Sequence, residues 1–404
     1  MDRPTVSIAH CSSYQLEQVE GALARLLQPL GGMSRFVLPG QRVLLKPNLV
    51  RAMAPETAAT THPTLVAAVA KQVVALGAHA IIADSAGGPF TKGVLRNLYR
   101  KTGMDWAAEV SGAELNMDTR ASQVACPEGR MLHRLDVIQA LLDADAVINL
   151  AKLKTHNLTA LTMCVKNLFG IVPGAIKIGY HAKLQDRERF CEGLLDILAY
   201  ARPVLNILDA VVGMDGEGPS GGDPHSIGAL IAGTDALAVD LVGAAAVGFQ
   251  ADQVLTLRVA QRLGLTSGEL VDIERVGDPL SLPIVKDFRE GIEAAMDPGL
   301  LPGFLRRFVN QAPSGEQALD GQAAHQISEG WIWRQLVARP QATEACIGCG
   351  FCARHCPVDA ITIIDGVARM DTRLCIRCYC CHELCPELAV ELRRPWLGRL
   401  LVGE

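Results

Sequence analysis

Cysteine is crowded near the end of this chain, in a spacing that suits inorganic chemistry. Nine of the thirteen cysteines fall between residues 346 and 385. They form two runs of the pattern C-x2-C-x2-C-x3-C-P, one beginning at Cys346 and the other at Cys375. Such runs are typical of [4Fe-4S] ligation, because three thiolates in one tight loop wrap one cluster while the fourth cysteine points to the other.

The spacing therefore predicts two [4Fe-4S] clusters with crossed ligands. The two expected quartets are Cys346, Cys349, Cys352 and Cys385, and Cys375, Cys378, Cys381 and Cys356. Cys380 stands at the wrong distance to replace a ligand, so we interpret it as a free thiol. Zinc is the alternative, but a zinc site needs four ligands, usually in pairs separated by a long spacer.

Two clusters in one small segment favour electron transfer, since a structural metal needs a single site. A purely structural pair stays open as an alternative. Residues 340–404 contain seven arginines and no lysine against eight acidic residues, and each oxidised cluster with its thiolates adds a charge of about −2. We therefore expect a redox partner protein with a basic docking patch.

The same segment, over about residues 340–393, resembles a bacterial-type ferredoxin that carries two [4Fe-4S] clusters. The resemblance rests on both cysteine runs and their closing prolines, Pro357 and Pro386. It implies a small α+β ferredoxin-like domain at this end of the chain.

Polar residues gather after short apolar runs in the long N-terminal region. Those that could bind or transform a ligand are Lys46, Asn48, Asp84, Lys152, Lys154, His156, Lys166 and Asp209. We expect a helix over residues 157–169, whose positive N-terminal end beside Lys152 and Lys154 would suit a phosphate or carboxylate. Lys177 and His181 follow a loop and are expected to close over the same place.

We assign the lysines and Asn48 to binding a small anion and His156 to proton transfer. Asp84 or Asp209 would orient the substrate or hold a divalent cation. The alternative is that each lysine is a solvated surface charge, and that the aspartates, Asp235 among them, cap helices or turns. The concentration of lysines within one otherwise apolar stretch favours a joint site.

The elements that must position these residues are predicted from hydrophobic periodicity. Apolar runs at residues 42–46, 80–84, 146–150, 205–209 and 227–232 indicate buried parallel strands. Helical periodicity covers residues 16–30, before two glycines, and residues 65–76, between Pro63 and Gly77. The alternation predicts an α/β fold with a mostly parallel sheet covered by helices on both faces, and a ligand beyond the carboxyl ends of the strands.

Residues from about 40 to 250 resemble the domain-of-unknown-function family numbered 362. The matching blocks are Val43-Leu-Leu-Lys46-Pro-Asn48, Thr61-His62-Pro63, Asp84-Ser85, Val147-Ile-Asn149-Leu-Ala-Lys152-Leu-Lys154-Thr-His156, Val165-Lys166-Asn167-Leu-Phe169-Gly170 and Asp209-Ala-Val-Val-Gly213-Met-Asp215-Gly-Glu-Gly218-Pro. Ala151 stands where the family form has proline. Members often carry a ferredoxin-like tail and are labelled iron-sulfur proteins without an assigned reaction, so the resemblance implies an architecture more than a chemistry.

We predict three parts: an α/β domain at 1–277, a linker and docking segment at 278–339 with a short amphipathic patch at 304–308, and the cluster domain at 340–404. The net charge of −5 provides no global positive field for nucleic acid or anionic lipid. No apolar stretch reaches the roughly 20 residues of a membrane span. The first residues lack the order of an export signal, which favours the cytoplasm.

The function predicted from these features is that of an iron-sulfur oxidoreductase, which relays electrons from the two clusters to a small anionic substrate or cofactor on the α/β domain. The alternative is a non-catalytic electron carrier or assembly factor whose α/β domain recognises a protein partner. A third possibility is a transferase or ligase whose clusters sense redox state.

Overall fold

A computed structural model of the chain describes residues 3–184, 186–291 and 338–396, apart from the side chains of residues 175, 178, 181 and 182. The chain divides into two compact units, Met1–Glu290 and Gly291–Glu404. The predicted amphipathic patch at 304–308 lies outside the described residues, as does the side chain of His181.

The described strands of the first unit lie in one large sheet and one separate hairpin. They are β1 Thr5–His10, β2 Arg42–Pro47, β3 His79–Ile82, β4 Glu114–Leu115, β5 Ala121–Ala125, β6 Arg134–Ile138, β7 Ala146–His156, β8 Ala160–Thr162, β9 Leu205–Asp215, β10 Asp223–Gly233 and β11 Glu274–Gly277. Strands β5 and β6 form the hairpin, and the other nine form the sheet.

The described α-helices of this unit lie between the strands. They are α1 Leu16–Leu27, α2 Pro63–Ala75, α3 Lys92–Thr102, α4 Met104–Ser111, α5 Gln139–Leu142, α6 Cys164–Asn167, α7 Gly174–Lys183, α8 Arg187–Ala201, α9 Ala236–Ala246 and α10 Leu255–Arg262. The predicted helices at 16–30 and 65–76 are confirmed as α1, with a following 3-10 turn, and α2. Gly31 and Gly77 follow these helices at φ values of 97° and 77°, which glycine adopts without a steric penalty.

The sheet is mostly parallel. Its order is β11-β1-β10-β9-β7-β2-β3-β4, with β8 paired to β7. Strands β9, β7, β2, β3 and β4 run parallel to one another. Strand β10 is antiparallel to both β9 and β1, and β8 is antiparallel to β7. All five predicted strands are present, but the expectation that the fifth one, at 227–232, is parallel was wrong, because β9 and β10 are joined directly as a hairpin.

Helices cover both faces of this sheet, as predicted. Helices α1 to α4 pack with the inward side chains of β2, β3, β7 and β9 in one continuous apolar core. Helices α6 and α9 pack against β7 and β9 on the other face, where α6 also contacts α8. The α/β fold class is thereby confirmed.

Strand β7 is longer than predicted, and this changes the local structure of the candidate site. The strand runs to His156, turns and pairs with β8, with Lys154 opposite Thr162. Only then does the short helix α6 begin, at Cys164. The expected helix over 157–169 is therefore wrong, and Lys152, Lys154 and His156 lie within a strand instead of beside a helix N-terminus.

The first unit continues past the predicted boundary at residue 277. Phe288 is buried and its ring lies edge-on to the rings of His225 and Phe249. Arg289 forms an ion pair with Asp215 at 2.6 Å, at the end of β9. Residues 278–290 thus pack on the β9–β10 hairpin rather than acting as a free linker.

The described part of the second unit contains two small sheets and two short helices. Strand β12 Arg339–Ala342 pairs antiparallel with β15 Val390–Arg393, and β13 Ile361–Ile364 pairs with β14 Val367–Met370. The helices are α11 Phe351–Arg354 and α12 Cys380–Leu384. This is the small α+β domain that the sequence predicts.

Candidate functional site

The two cysteine loops of the second unit follow the same backbone course. Gly348 and Gly350 in the first loop have φ values of 64° and 70°, and Arg377 and Tyr379 at the matching positions of the second have 54° and 57°. Residues other than glycine adopt this left-handed region at a cost. The second loop adopts this conformation without glycine, so the conformation is a shared feature of both cysteine loops and not a consequence of glycine. The two loops are therefore structural equivalents.

The fourth cysteines of the two runs are also equivalent. The backbone N–H of Ala360 donates to the sulfur of Cys356 at 3.2 Å, and that of Ala389 donates to Cys385 at 3.3 Å. Each donor lies four residues after its cysteine. N–H groups aimed at ligand sulfurs stabilise thiolates and tune the potential of an iron-sulfur cluster.

Cysteines from both runs meet at one cavity in the second unit. Cys346, Cys349, Cys352 and Cys385 line one cavity. Burial raises the pKa of Cys352, and these same three neighbouring thiols raise it further. Burial likewise raises the pKa of Cys381 well above its usual value, with contributions from four nearby thiols, at Cys378, Cys375, Cys352 and Cys356.

These thiols fit a cluster better than one metal ion. Among the described residues, no group of three or more His, Cys, Asp or Glu side chains converges on a position for a single ion, as a zinc site would require. A [4Fe-4S] cluster instead places each thiolate on a different iron of the cube, so the sulfurs stand further apart. The four cysteines that line the cavity supply the four thiolates that one such cluster needs.

Cys380 is buried next to the second quartet. A hydrogen bond between the thiols of Cys380 and Cys378 lowers the pKa of Cys378 and raises that of Cys380 well above its usual value. Cys380 therefore acts as a donor to a proposed ligand.

In the first unit, the sheet order places the predicted residues where ligands bind in α/β folds. From β2 the chain adds β3 and then β4 on one side of β2, after helix α2, whereas the later strands β7 and β9 are added on the other side. The direction in which successive strands are added therefore reverses between β2 and β7. Lys46 and Lys152 lie in these two strands, near the carboxyl ends where a crevice forms at such a reversal.

Lys46 forms a buried ion pair with Asp84. Its Nζ lies 2.8 Å from Asp84 Oδ1 and also donates to the Pro47 carbonyl at 2.8 Å. Asp84 Oδ2 accepts from the backbone N–H of Leu49 at 2.6 Å. Burial lowers the pKa of Lys46, although the Asp84 carboxylate opposes the shift. Gly170 lies so close to this pair that a Cβ there would collide with both side chains.

Lys152 forms a second buried pair, with Asp209 at 3.0 Å. Asp209 also accepts from the Tyr14 hydroxyl at 2.7 Å and from the His62 N–H at 3.0 Å. The rings of Tyr14 and His62 stack at 3.6 Å. Burial raises the pKa of Tyr14 well above its usual value and lowers that of His62 to about 4, so both groups stay neutral at physiological pH.

The two pairs lie on opposite faces of the sheet. Leu45 and Leu150 belong to the core formed with α1 and α2, and successive residues of a strand alternate between faces. Lys46, next to Leu45, therefore points to the face of α6, where its Nζ reaches Asn167 at 3.4 Å. Lys152, two residues after Leu150, points to the face of α1 and α2. The four predicted lysines do not form one cluster.

Lys154 and His156 lie at the carboxyl end of β7, where Lys154 contacts Asn48, and all three residues are buried. Lys154 Nζ donates to Asn48 Oδ1 at 3.1 Å and to the Ala59 carbonyl at 2.5 Å. His156 Nδ1 accepts from the Leu158 N–H at 3.0 Å, which places the proton of a neutral ring on Nε2.

Lys166 and Lys177 are the half-buried cations on the face of Lys46. The Lys166 ammonium lies 5.1 Å from the Phe169 ring centre and 5.5 Å from that of Phe190. Lys177 Nζ donates to the Ser85 carbonyl and lies 5.9 Å from the Phe169 ring. Burial, with the charges of Lys46 and Lys166, lowers the pKa of Lys177 to about 7, although Asp84 opposes the shift.

Asp235 has a structural role. Asp235 caps α9 by accepting from the N–H groups of Leu237 and Ala238, as the capping alternative expected. Asp84 follows β3 and Asp209 lies within β9, and these strands are three places apart in the sheet, which is about 14 Å. They cannot hold one divalent cation between them, so the suggestion of such a cation is not supported.

Sequence reasoning missed Tyr14 and the asparagines beneath Lys46. Asn149 Nδ2 donates to Asn206 Oδ1 at 2.8 Å, and Asn167 Nδ2 donates to Asn149 Oδ1 at 2.8 Å. Asn149 and Asn206 occupy paired positions of two apolar strands, and such polar residues in buried strands were the available signal. Tyr14 gave none, because its partners lie far away in sequence.

A cavity of about 580 Å³ lies at the opposite edge of the sheet, beside the start of β7. Its lining includes Cys126, Glu128, Tyr200 and Arg202 but none of the predicted site residues. Among the described residues, no helix has the length and apolar character to cross a membrane.

The fold and the cysteine quartets define an α/β protein with an appended iron-sulfur unit. The chain belongs to the family described as domain of unknown function (DUF362), which matches residues 43–245. A 4Fe-4S binding domain matches residues 342–362. The second unit therefore binds at least one [4Fe-4S] cluster and has an iron-sulfur electron-transfer role.

Two proteins have sequences similar to this chain. A thylakoid-associated protein of Synechocystis sp. is 37% identical over 270 residues, which cover 66% of this chain and 82% of that protein. One component of an ion-translocating oxidoreductase complex from Methanosarcina acetivorans is 42% identical over 48 residues, which cover 12% of this chain and 18% of that component. The second likeness is confined to a small part of both proteins.

Two solved structures show a distant likeness. The lactate racemase apoprotein from Thermoanaerobacterium thermosaccharolyticum matches with a TM-score of 0.38 and 14% identity, over 60% of this chain and 56% of that one. A protein from Thermotoga maritima matches with a TM-score of 0.34 and 14% identity, over 56% of this chain and 57% of that one. This chain spans a little over half the length of each.

Proposed function

We propose that the protein is an iron-sulfur oxidoreductase with two [4Fe-4S] clusters, held by the crossed quartets, which reduce or oxidise a small anionic substrate on the α/β unit. The gathering of four cysteines around one cavity, with Cys385 contributed by the other run, carries the proposal. A redox partner supplies or accepts the electrons. We place the reaction in the cytoplasm, where thiols remain reduced.

The substrate site that we propose lies at the reversal of the sheet order between β2 and β7. Lys166, with Lys46 behind it, attracts the anion. Lys154 in β7 and Asn48, directly after β2, border the site. His156 would transfer a proton through Nε2. Asp84 orients Lys46, whereas Lys152 and Asp209 stabilise the sheet, because their polar atoms are taken up by Tyr14, His62 and each other.

The test follows reoxidation of the reduced protein. Anaerobic holoprotein reduced with dithionite is mixed with a panel of 2-oxo acids and phosphorylated metabolites while the cluster absorbance is recorded. At least one should reoxidise the wild type, and Lys166→Met should slow this step by about tenfold or more, because a charged hydrogen bond is lost. Lys92→Met, on the exposed side of α3, is the control. Equal rates in the two variants would remove Lys166 from the site.

A second candidate is an electron carrier whose α/β unit recognises a protein partner. It is favoured by the burial of Lys46, Lys152 and Lys154, whose ammonium groups donate to protein acceptors. In that case no small molecule reoxidises the reduced clusters, whereas an oxidised basic redox protein does so in a saturable manner.

A further inference from the structure

Lys177 differs from the other lysines near the sheet edge. Lys46, Lys152 and Lys154 are fully buried, whereas Lys177 is half-buried on helix α7. Its Nζ is held by the Ser85 carbonyl, directly after Asp84 in the chain. The protein therefore holds the amine in place, on a residue that keeps part of its surface exposed.

The Asp84 carboxylate near Lys177 already has a cationic partner. Asp84 already has Lys46 at 2.8 Å and the Leu49 N–H at 2.6 Å. Gly170 closes this pair on one side, since a Cβ at that position would meet both Asp84 and Lys46. A second cation is not needed to neutralise Asp84, so the pair does not explain the placement of Lys177.

The surroundings of Lys177 favour the uncharged amine. The charged groups that act on it are Asp84, which favours the ammonium, and Lys46 and Lys166, which oppose it. Together with burial against the Phe169 ring, these groups bring the pKa of Lys177 to about 7. At neutral pH about half of the molecules then carry a free amine, and a lysine made neutral by burial and neighbouring cations is a nucleophile.

We propose that Lys177 is an amine nucleophile that forms an imine with the carbonyl group of a small oxo acid, whose carboxylate is attracted by Lys166. The lysine nitrogen attacks the carbonyl carbon and a carbon–nitrogen bond forms. The carbonyl oxygen leaves as water with the two hydrogens of the amine, so no oxidant or reductant is consumed. This deepens the proposed function, on which it rests for the site and the anionic substrate class.

The experiment traps the imine on the holoprotein. Glyoxylate and cyanoborohydride are added at pH 7 under anaerobic conditions, and the rate of modification at each lysine is measured by peptide mass spectrometry. Lys177 should be modified at least about tenfold faster than the exposed Lys92 and Lys101, because each unit of lowered pKa increases the neutral fraction about tenfold. A Lys177 rate no higher than theirs overturns the proposal.

Two comparisons sharpen the result. Lys166→Met should slow trapping at Lys177 for two reasons. It removes the attraction for the carboxylate, and it removes a positive charge that lowers the pKa of Lys177, so less of the amine is neutral. Acetaldehyde, which lacks the carboxylate, should react more slowly than glyoxylate at Lys177 but not at Lys92. If the ratio of the glyoxylate rate to the acetaldehyde rate is the same at Lys177 and Lys92, the assignment of an oxo acid as the substrate is overturned.

Trapping requires neither reduced clusters nor turnover. Absent labelling with intact metabolite-driven reoxidation would remove the imine and leave the proposed function standing. Rapid labelling of Lys177 without any reoxidation would support the imine and remove the proposed electron transfer to a small substrate.

Discussion

The two buried lysine–aspartate pairs of the α/β unit have the same chemistry and different surroundings. Asp209 is enclosed by donors from Lys152, Tyr14 and His62. The pair of Lys46 and Asp84 lies on the opposite face of the sheet, and Lys177 lies beside this pair. A pair whose bonds are all internal serves the fold, whereas a pair with additional positive charge nearby can also serve a ligand.

The strongest test of this contrast removes the Asp209 carboxylate. Asp209→Ala leaves Lys152 as a buried unpaired charge and deprives Tyr14 and His62 of their acceptor, so the free energy of unfolding should fall by about 3–5 kcal/mol. Urea unfolding of the holoprotein measures it. The exposed Asp272→Ala is the control and should change stability by less than about 0.5 kcal/mol. A similar small change in Asp209→Ala would contradict the structural role.

Replacing the lysines compares the pairs directly. Lys152→Met leaves Asp209 without its ammonium partner, whereas Lys46→Met leaves Asp84 with the positive field of Lys177. We expect Lys152→Met to be the more destabilising by at least about 1 kcal/mol, measured by urea unfolding at pH 7. If Lys46→Met is equally or more destabilising, Lys177 does not compensate Asp84.

The pH dependence of stability should differ through Lys177. Its pKa is about 7 in the folded protein and 10.5 in the unfolded chain, so between these values the unfolded chain binds the extra proton and stability rises with pH. The contribution is at most about 1.4 kcal/mol per pH unit. Lys177→Met should therefore show a shallower rise between about pH 7.5 and 9.5. An unchanged slope, relative to Lys92→Met as control, would contradict the lowered pKa.

The smallest predicted effect concerns the second unit. Cys380→Ala removes the donor to the Cys378 sulfur, and the loss of a hydrogen bond to a ligand sulfur disfavours the reduced, more negative cluster. The potential of one cluster should fall while the iron content stays constant. Cys380→Ser keeps a donor and should remain near the wild-type potential. Lost iron in Cys380→Ala would instead make Cys380 a ligand.

The sequence predicted the cluster unit better than the lysine site because the ligands of each loop are close together along the chain. Cys346, Cys349 and Cys352 share one loop, so their spacing in the sequence largely determines how their thiols are arranged. Lys46 and Lys152 depend instead on which face of the sheet each strand residue occupies. The face of each lysine follows from its distance along the strand to a buried neighbour. The predicted strand at 146–150 ended too early for this, because β7 runs to His156.

The error at residues 157–169 has a physical cause. The segment has helical spacing of apolar residues, but Thr159 and Thr162 favour a strand, and Ala160 adopts a φ of 65° that closes a turn. Pairing of β8 with the end of β7 then extends the sheet. In the same way, β10 has the apolar pattern of a parallel strand, and only its hairpin connection to β9 makes it antiparallel.

The measurement that tests the central claim most directly is the content of iron and acid-labile sulfide in protein purified without air. Two clusters require about eight iron and eight sulfide per chain, and Cys385→Ser should lose about half of each, because it opens one quartet and spares the other. Colourless protein that contains zinc and no sulfide would contradict electron transfer through this unit.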